Sequence, residues 1–513
     1  MRRVSAVAIV AFVAGALLAP AGAGRAASSG ASPPSGLSPL HVVRGPAARI
    51  EDAQHRQVLL RGVDTNQLGD YYQADPALES TVPLTESDFA QMAAVGFDSM
   101  RLIVHWSLLE PRRGVFDEAY LDRVRQAVGW AADHGIYVVL DMHQDAWGKY
   151  IATPPGVTCP PGLQPAIGWD GAPQWATITD GMTTCREQLR ELSPAVGQAF
   201  ANFWIDRDGI QTELVRTWAV LAHAFAANRA VAGYDLLNEP HPGYTPGVTD
   251  LTFLGRYYGS AIAAIRDTER SVKHGFAHIA FVEPMDTWSA APIGISPAPG
   301  FTTDPQIVFA PHLYAESITA DRSLGVDLFT IPGEFDEAQR EAARYQTTFW
   351  SGEWGWFGDP NADAPKVAEY AAEEDAHLVG GAWWQWKQAC GDPHSLGSPD
   401  GHPPAQTDSL VRLACPTDAP VGIPDALQRI VGRAYPRAAP GVLQSLNSDP
   451  ATGTLHLAGF AGAGGSLDLW APAAAGAPVV GGTNITGIRI EAVDGGYRIT
   501  ATASGAYHLD LTH

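Results

Sequence analysis

Gly233-Tyr234-Asp235-Leu236-Leu237-Asn238-Glu239-Pro240 is a short, mostly apolar run that ends on an amide, an acid and a proline. A run of this length between turn signals reads as a buried strand, and a proline directly after it stops the ladder. Just upstream, Leu214, Trp218, Leu221 and Phe225 share one stripe at helical spacing, so a helix feeds this strand. The unit repeats in both directions. Strands are predicted over 58–63, 99–104, 137–142, 233–237, 278–282, 307–310, 348–352 and 380–385, with helical patterns between them. Such alternation implies a parallel α/β architecture, and eight strands close a (β/α)8 TIM barrel. One helix start is explicit: Thr85 reads as an N-cap with Asp88 at N3 and a Leu84/Phe89 staple, and Gly96 ends that helix.

The texture changes after Trp386. Residues 399–424 are loop-like, 425–435 read as the last barrel helix, and the prolines at 436 and 440 mark a boundary. From 442 to 511, short alternating runs such as Thr454-Leu455-His456-Leu457 are separated by Gly, Asn and Asp turns. These predict a small C-terminal antiparallel β-sandwich over 437–513, after a barrel domain over 46–436.

The 513 residues are 46 % hydrophobic and 17 % charged, with a formal charge of −22. That composition supports a large core. The acidic balance argues against a nucleic-acid partner and against simple adsorption to anionic membranes. Arg2 and Arg3, an uncharged run to Leu18 and the small residues Ala21-Gly22-Ala23 have the order of a secretory signal. A cleaved signal over 1–26 and a disordered lead-in over 27–45 are therefore expected, placing the protein outside the cell. Of the three possible pairings of the four cysteines, two local bridges, Cys159 with Cys185 and Cys390 with Cys415, are the economical reading in an oxidising compartment. No spacing suited to zinc appears, and neither metal nor organic cofactor is expected.

Two acids stand at predicted strand ends, Glu239 after strand four and Glu353 after strand seven, in Ser351-Gly352-Glu353-Trp354. In a closed barrel both project into one mouth. Two carboxyl groups about 5–5.5 Å apart across a sugar are what a retaining glycosidase requires, one as acid/base and one as nucleophile. Asp235, an acid inside a strand, reads instead as a hydrogen-bonded structural group.

With these motifs goes a set of others: Arg101 in Ser99-Met100-Arg101-Leu102, His143 and Asp145 in Asp141-Met142-His143-Gln144-Asp145, His312 and Tyr314 in Pro311-His312-Leu313-Tyr314, and Trp383-Trp384-Gln385-Trp386-Lys387. From strand one to strand eight the chain resembles glycoside hydrolase family 5, and within it the endoglycoceramidases. The resemblance implies Glu239 as acid/base and Glu353 as nucleophile. It implies substrate-binding roles for Arg101, His143, Asp145, Asn238, His312 and Tyr314, and for Trp384 as a sugar platform. Arg101 would hold the nucleophile ionised, Tyr314 would touch it, and Asn238 would grip the 2-hydroxyl. The implied reaction releases a glycan from ceramide, by a monomer in transient contact with lipid micelles or membrane. One departure is that the family's sugar-binding lysine after strand one is absent from Gly62 to Asp70. A β-1,4-glucanase, a diglycosidase on plant or steryl glycosides, and a non-catalytic carbohydrate-binding barrel are the competing readings. The segment 151–178 after strand three carries Ile167, Trp169, Trp175 and Ile178, which either meet lipid or pack the loop onto the barrel.

Protein recovered from the medium of an expressing host should begin within a few residues of Ala23 or Ala26 on N-terminal sequencing. An intact Met1 there would overturn the signal reading.

Overall fold

The computed structural model describes residues 36–293, 296–321, 325–395 and 405–513. The expected signal and the first part of the lead-in lie outside these residues.

Eight parallel strands form the barrel: Gly62–Thr65, Ser99–His105, Tyr137–His143, Val231–Asp235, Ile279–Val282, Ile307–Phe309, Ser351–Trp354 and Gly381–Trp383. They are taken here as strands one to eight. Strands one to six pair in sequence, strand seven pairs with strand eight, and strand eight returns to strand one through Ala382 opposite Gly62. Strands six and seven meet at a parallel bridge between Phe309 and Phe349, where the Trp350 amide donates to the Phe309 carbonyl at 2.9 Å. The ring is closed. Strand one begins four residues later than the apolar pattern suggests and strand seven three later. Apolar runs mark burial rather than pairing, and Leu60 has φ +61, which interrupts extended backbone before Gly62.

Alternation within strands sorts the side chains. Along strand three, Val138, Leu140 and Met142 pack against the helices, whereas Val139 joins the barrel interior with Ala232, Phe281, Val308 and Trp350. Asp141 and His143, in phase with Val139, therefore point inward and upward. The helix Glu86–Val95 starts in the expected capping box at Thr85 and ends at Gly96, φ +105, where glycine alone is unstrained. The long excursion after strand three contains the helix Pro194–Trp204 and the bridge Cys159–Cys185, and the excursion after strand eight the bridge Cys390–Cys415.

The β-sandwich uses one continuous antiparallel sheet. The final strand, Gly496–Thr512, pairs over its first half with Gly465–Pro472 and over its second half with Leu455–Phe460. Gly505, φ +56, lies where it changes partner. The two halves enclose Leu457, Leu467, Leu469, Ile499 and Leu509. Two boundaries differ from expectation. Leu40–Val43 is a strand, so the lead-in is ordered by residue 40, and 40–57 joins the sandwich sheet through Gln57 opposite Ala439. The expected domain boundary at 436–440 falls inside the strand Tyr435–Pro440, with a register shift between Pro436 and Ala438 that accommodates a residue lacking an N–H.

A buried ion cluster ties sandwich to barrel. Asp375, on the helix Pro360–His377, lies 2.5 Å from Arg61 and 3.0 Å from Arg433, and accepts the Ser448 amide at 2.8 Å. Against its own burial, Arg433 and Arg61 hold Asp375 below the ordinary carboxylate range. Its contribution is complete above that range and disappears as pH falls through its lowered value. Asp375→Asn leaves two arginines without their partner and should cost about 3–5 kcal/mol, lowering the melting temperature at pH 7 and flattening its fall on acidification. Equal melting curves for the two proteins from pH 7 to 3 would refute the clamp.

Candidate active site

Every barrel strand delivers a polar or aromatic group to the mouth: Asp64, Arg101, Asp141 with His143, Asp235 with Asn238 and Glu239, Glu283, His312 with Tyr314, Glu353, and Trp384, in strand order. Arg101, wholly buried, joins them. Its guanidinium donates to Glu353 Oε1 at 2.8 Å, Asp235 at 2.9 Å, Glu283 Oε1 at 2.9 Å, Asn238 Oδ1 at 3.0 Å and Asp64 at 3.2 Å, and Asp141 lies at 3.1 Å. Burial pushes Asp64 and Asp235 well above the carboxylate range despite the pull of Arg101. Asp235 is thus the internal structural acid that its place in the strand suggested.

Glu353 also accepts the Tyr314 hydroxyl on Oε2 at 3.0 Å. Glu239 Oε1 accepts the Ser289 hydroxyl at 2.5 Å and faces His312 Nδ1 at 2.9 Å, while Glu353 Oε2 is 3.4 Å from the same nitrogen. Carboxylate oxygens of Glu239 and Glu353 approach within 4.8 Å of each other and of His312. These donor types could also hold a cation, but here each is engaged by a neighbouring side chain.

Burial pushes Glu353 up, opposed by His312 and Arg101. Glu239 is drawn down in spite of burial by its hydrogen bond and charge contact with His312. That order is opposite to the one expected from the roles read in the sequence. The cause is His312: against its burial, the charges of Glu283 and Glu353 raise it well above its ordinary range, which favours its charged form 2.9 Å from Glu239. Glu239 and His312, 2.9 Å apart, lie close enough that the protonation of one affects the other.

Above the carboxylates opens a cavity of about 320 Å³, walled by His143, Asp145, Asn238, Tyr314, Phe357 and Trp384 among others. Trp384 stacks on His143 with ring centres 5.3 Å apart. His143 is oriented by Asp141, 2.7 Å from Nδ1. Asn238 is locked by Arg101 and by donating to the Gln144 carbonyl at 3.0 Å. Of the nine residues read from sequence as catalytic or substrate-binding, Arg101 and His312 do not line the cavity. Both lie behind the carboxylates and act on them.

The sequence reading missed Glu283, Ser289, Arg190 and His394. Glu283 ends strand five just as Glu239 and Glu353 follow strands four and seven, so the same strand-end rule could have found it. Arg190 and His394 come from long excursions, whose course the sequence pattern does not show. They converge on Asp145 at 2.6 and 2.9 Å, and Arg190 lies over the Trp169 ring at 4.2 Å. The two loop tryptophans divide: Trp169 lines the cavity, whereas Trp175 packs edge-on against Trp106 and donates to the Glu110 carbonyl. Where strand one lacks a following lysine, Lys149 from the strand-three excursion pairs with Asp70 at 2.7 Å.

The sequence model of the cellulase family, glycosyl hydrolase family 5, matches residues 52–389. The chain belongs to glycosyl hydrolase family 5. Within this family it is 29 % identical over 289 residues to endoglycoceramidase I of Rhodococcus hoagii (strain 103S), covering 54 % of each chain. It is 28 % identical over 249 residues to an endoglycoceramidase of Hydra vulgaris, covering 42 % of this chain and 44 % of that one. The chain thus aligns with about half the length of these curated relatives. Among solved structures, one described as endogalactoceramidase is 44 % identical with a TM-score of 0.85, over 93 % of this chain and 100 % of that one. Endo-glycoceramidase II from Rhodococcus sp., described as its lactosyl-enzyme intermediate, is 25 % identical with a TM-score of 0.69, over 90 % of this chain and 99 % of that one.

Tyr314→Phe removes one donor from Glu353 and leaves the ring packing in place. A hydrogen bond to a charged group is worth about 1.5–3 kcal/mol, so kcat on an aryl β-glycoside should fall roughly 10- to 100-fold with little change in KM. A purely raised KM would show that the hydroxyl serves substrate binding instead.

Proposed function

We propose that this chain is a retaining β-glycosidase that releases a glycan from ceramide. The observation that carries this reading is the approach of the Glu239 and Glu353 carboxylates to within 4.8 Å beneath a cavity open to solvent. That close approach suits direct attack by a carboxylate better than the wider carboxyl separation of an inverting enzyme. Glu353, held by Arg101 and Tyr314, attacks the anomeric carbon. The departing oxygen takes the proton of the Glu239–His312 pair, and Glu239 then removes a proton from the water that opens the glycosyl-enzyme. His143, Asp145 and Asn238 supply hydrogen-bonding groups for the sugar, and Trp384 a flat apolar wall. A relative described as a lactosyl-enzyme intermediate supports a covalent step. The relatives described as endoglycoceramidases support ceramide as the leaving group. The 44 % identity to the structure described as endogalactoceramidase favours galactose as the sugar joined to it.

The surface supports lipid contact. Leu189, Leu192, Val248, Leu251, Ile318 and Leu328 are exposed, and all lie in excursions after strands three, four and six, on the side of the barrel where the cavity opens. Ile318 also lines that cavity. Exposed apolar side chains on the same side of the barrel as a polar pocket fit a substrate with a sugar head and lipid tail, and the acidic net charge favours a neutral lipid surface over an anionic one. In this reading the enzyme acts as an exported monomer.

Purified enzyme should release an intact glycan from galactosylated ceramide in detergent micelles, seen by mass spectrometry, in preference to cutting carboxymethylcellulose. Glu353→Ala should abolish turnover. Glu239→Ala with azide and an activated aryl glycoside should give the β-glycosyl azide; an α-glycosyl azide from Glu239→Ala would overturn retention.

A further inference from the structure

Glu283 follows strand five, is 2 % exposed, and uses both carboxylate oxygens. Oε2 accepts the backbone N–H of Glu239 at 2.7 Å. Oε1 accepts from Arg101 at 2.9 Å and lies 3.3 Å from His312 Nε2. One side chain therefore touches the backbone of the acid/base residue, the imidazole bonded to its carboxyl group, and the guanidinium that holds the nucleophile. Its own main chain is fixed by the Tyr258 hydroxyl, which donates to the Glu283 carbonyl at 3.0 Å.

Two features of Glu239 call for such a support. Its φ is +35, in the left-handed region that disfavours a side chain with a Cβ, and the amide that Glu283 accepts belongs to this residue. Its carboxyl group is aimed by His312, whose far nitrogen faces Glu283.

We propose that Glu283 is a positioning residue for the acid/base step, holding the Glu239 backbone in its left-handed turn and the His312 ring against the Glu239 carboxyl group. This rests on the reading of Glu239 as the acid/base. The groups facing His312 are Glu239 from strand four, Glu283 from strand five and Glu353 from strand seven, with Asp64 and Asp235 behind them. Arg101 and His143 are the cations of the same ring. Glu283 is the largest of the charges that raise His312, so neutralising it lowers the pH at which the Glu239–His312 pair loses its proton. Arg101 keeps Asp64, Asp141 and Asp235, so the nucleophile is disturbed less.

Glu283→Gln keeps the shape and an acceptor for the Glu239 amide but removes the charge. The comparison is kcat/KM for a 2,4-dinitrophenyl β-glycoside, whose leaving group needs no acid, against an alkyl β-glycoside, whose leaving group does. General-acid assistance contributes about 100- to 10,000-fold; a loss of roughly 10- to 100-fold on the alkyl glycoside is expected, with less than about threefold on the dinitrophenyl one and a basic limb moved to lower pH. NMR titration of the histidine rings should show the His312 midpoint moved down in the variant. Equal losses on both substrates, or an unmoved His312, would overturn the proposal. Should Glu283→Gln not fold, Glu283→Asp decides on the same pair of substrates, because it keeps the charge but withdraws it from the Glu239 amide. Unmutated enzyme that cleaves neither glycoside overturns instead the reading of the site, and the His312 titration then still reports whether Glu283 governs that ring.

Discussion

The guanidinium of Arg101 sits without solvent contact among Asp64, Asp141, Asp235, Glu283 and Glu353. Removing a buried charge from water is costly, and only close partners offset it. Here the partners come from strands one, three, four, five and seven, so the arginine is satisfied only when the barrel is closed and in register. The same constraint works in reverse. Without Arg101 this ring of acids would lose its shared donor in a medium that screens little, and Glu353 would lose the 2.8 Å contact on Oε1.

From that hub the site divides into two regions with different electrostatics. On the Glu353 side, a fixed cation and the Tyr314 hydroxyl favour the charged carboxylate while burial opposes it. On the Glu239 side the contacts are His312, the Ser289 hydroxyl and, at 3.8 Å, Arg190. His312 lies between the two acids, 2.9 Å from Glu239 and 3.4 Å from Glu353, while Arg101 contacts Glu353 and Arg190 stands 3.8 Å from Glu239. The setting of both acids is made by the arginine on strand two and the histidine that follows strand six, not by the two glutamates alone.

The sandwich is anchored by the same kind of interaction. Arg61, Arg433, Glu374 and Asp375 form a buried cluster between barrel and sandwich, and Asp375 reaches the Ser448 amide. The N-terminal residues 40–57 contribute to the same sheet, so the chain enters and leaves the barrel through one shared layer. Sequence pattern divided the chain at the prolines near 436, where the helical pattern gives way to short alternating runs. Proline is tolerated in that strand because the ladder shifts register there, and pairing across nearly 400 residues has no local signature.

What the sequence by itself determined was the barrel and the two acids. The alternation of apolar runs with helical stripes is a local property, and Glu239 and Glu353 are recognisable because strand ends in a closed barrel converge. Asp235 and the Thr85 cap were legible for similar reasons: position within an element dictates their environment. Only the tertiary structure decided that His312 and Arg101 lie behind the carboxylates, that Glu283 approaches both, and that Arg190 and His394 close on Asp145. Those placements depend on how separate strands and long irregular loops come together in space. Periodicity records which face of an element is buried, but not which charges from other elements it will meet there.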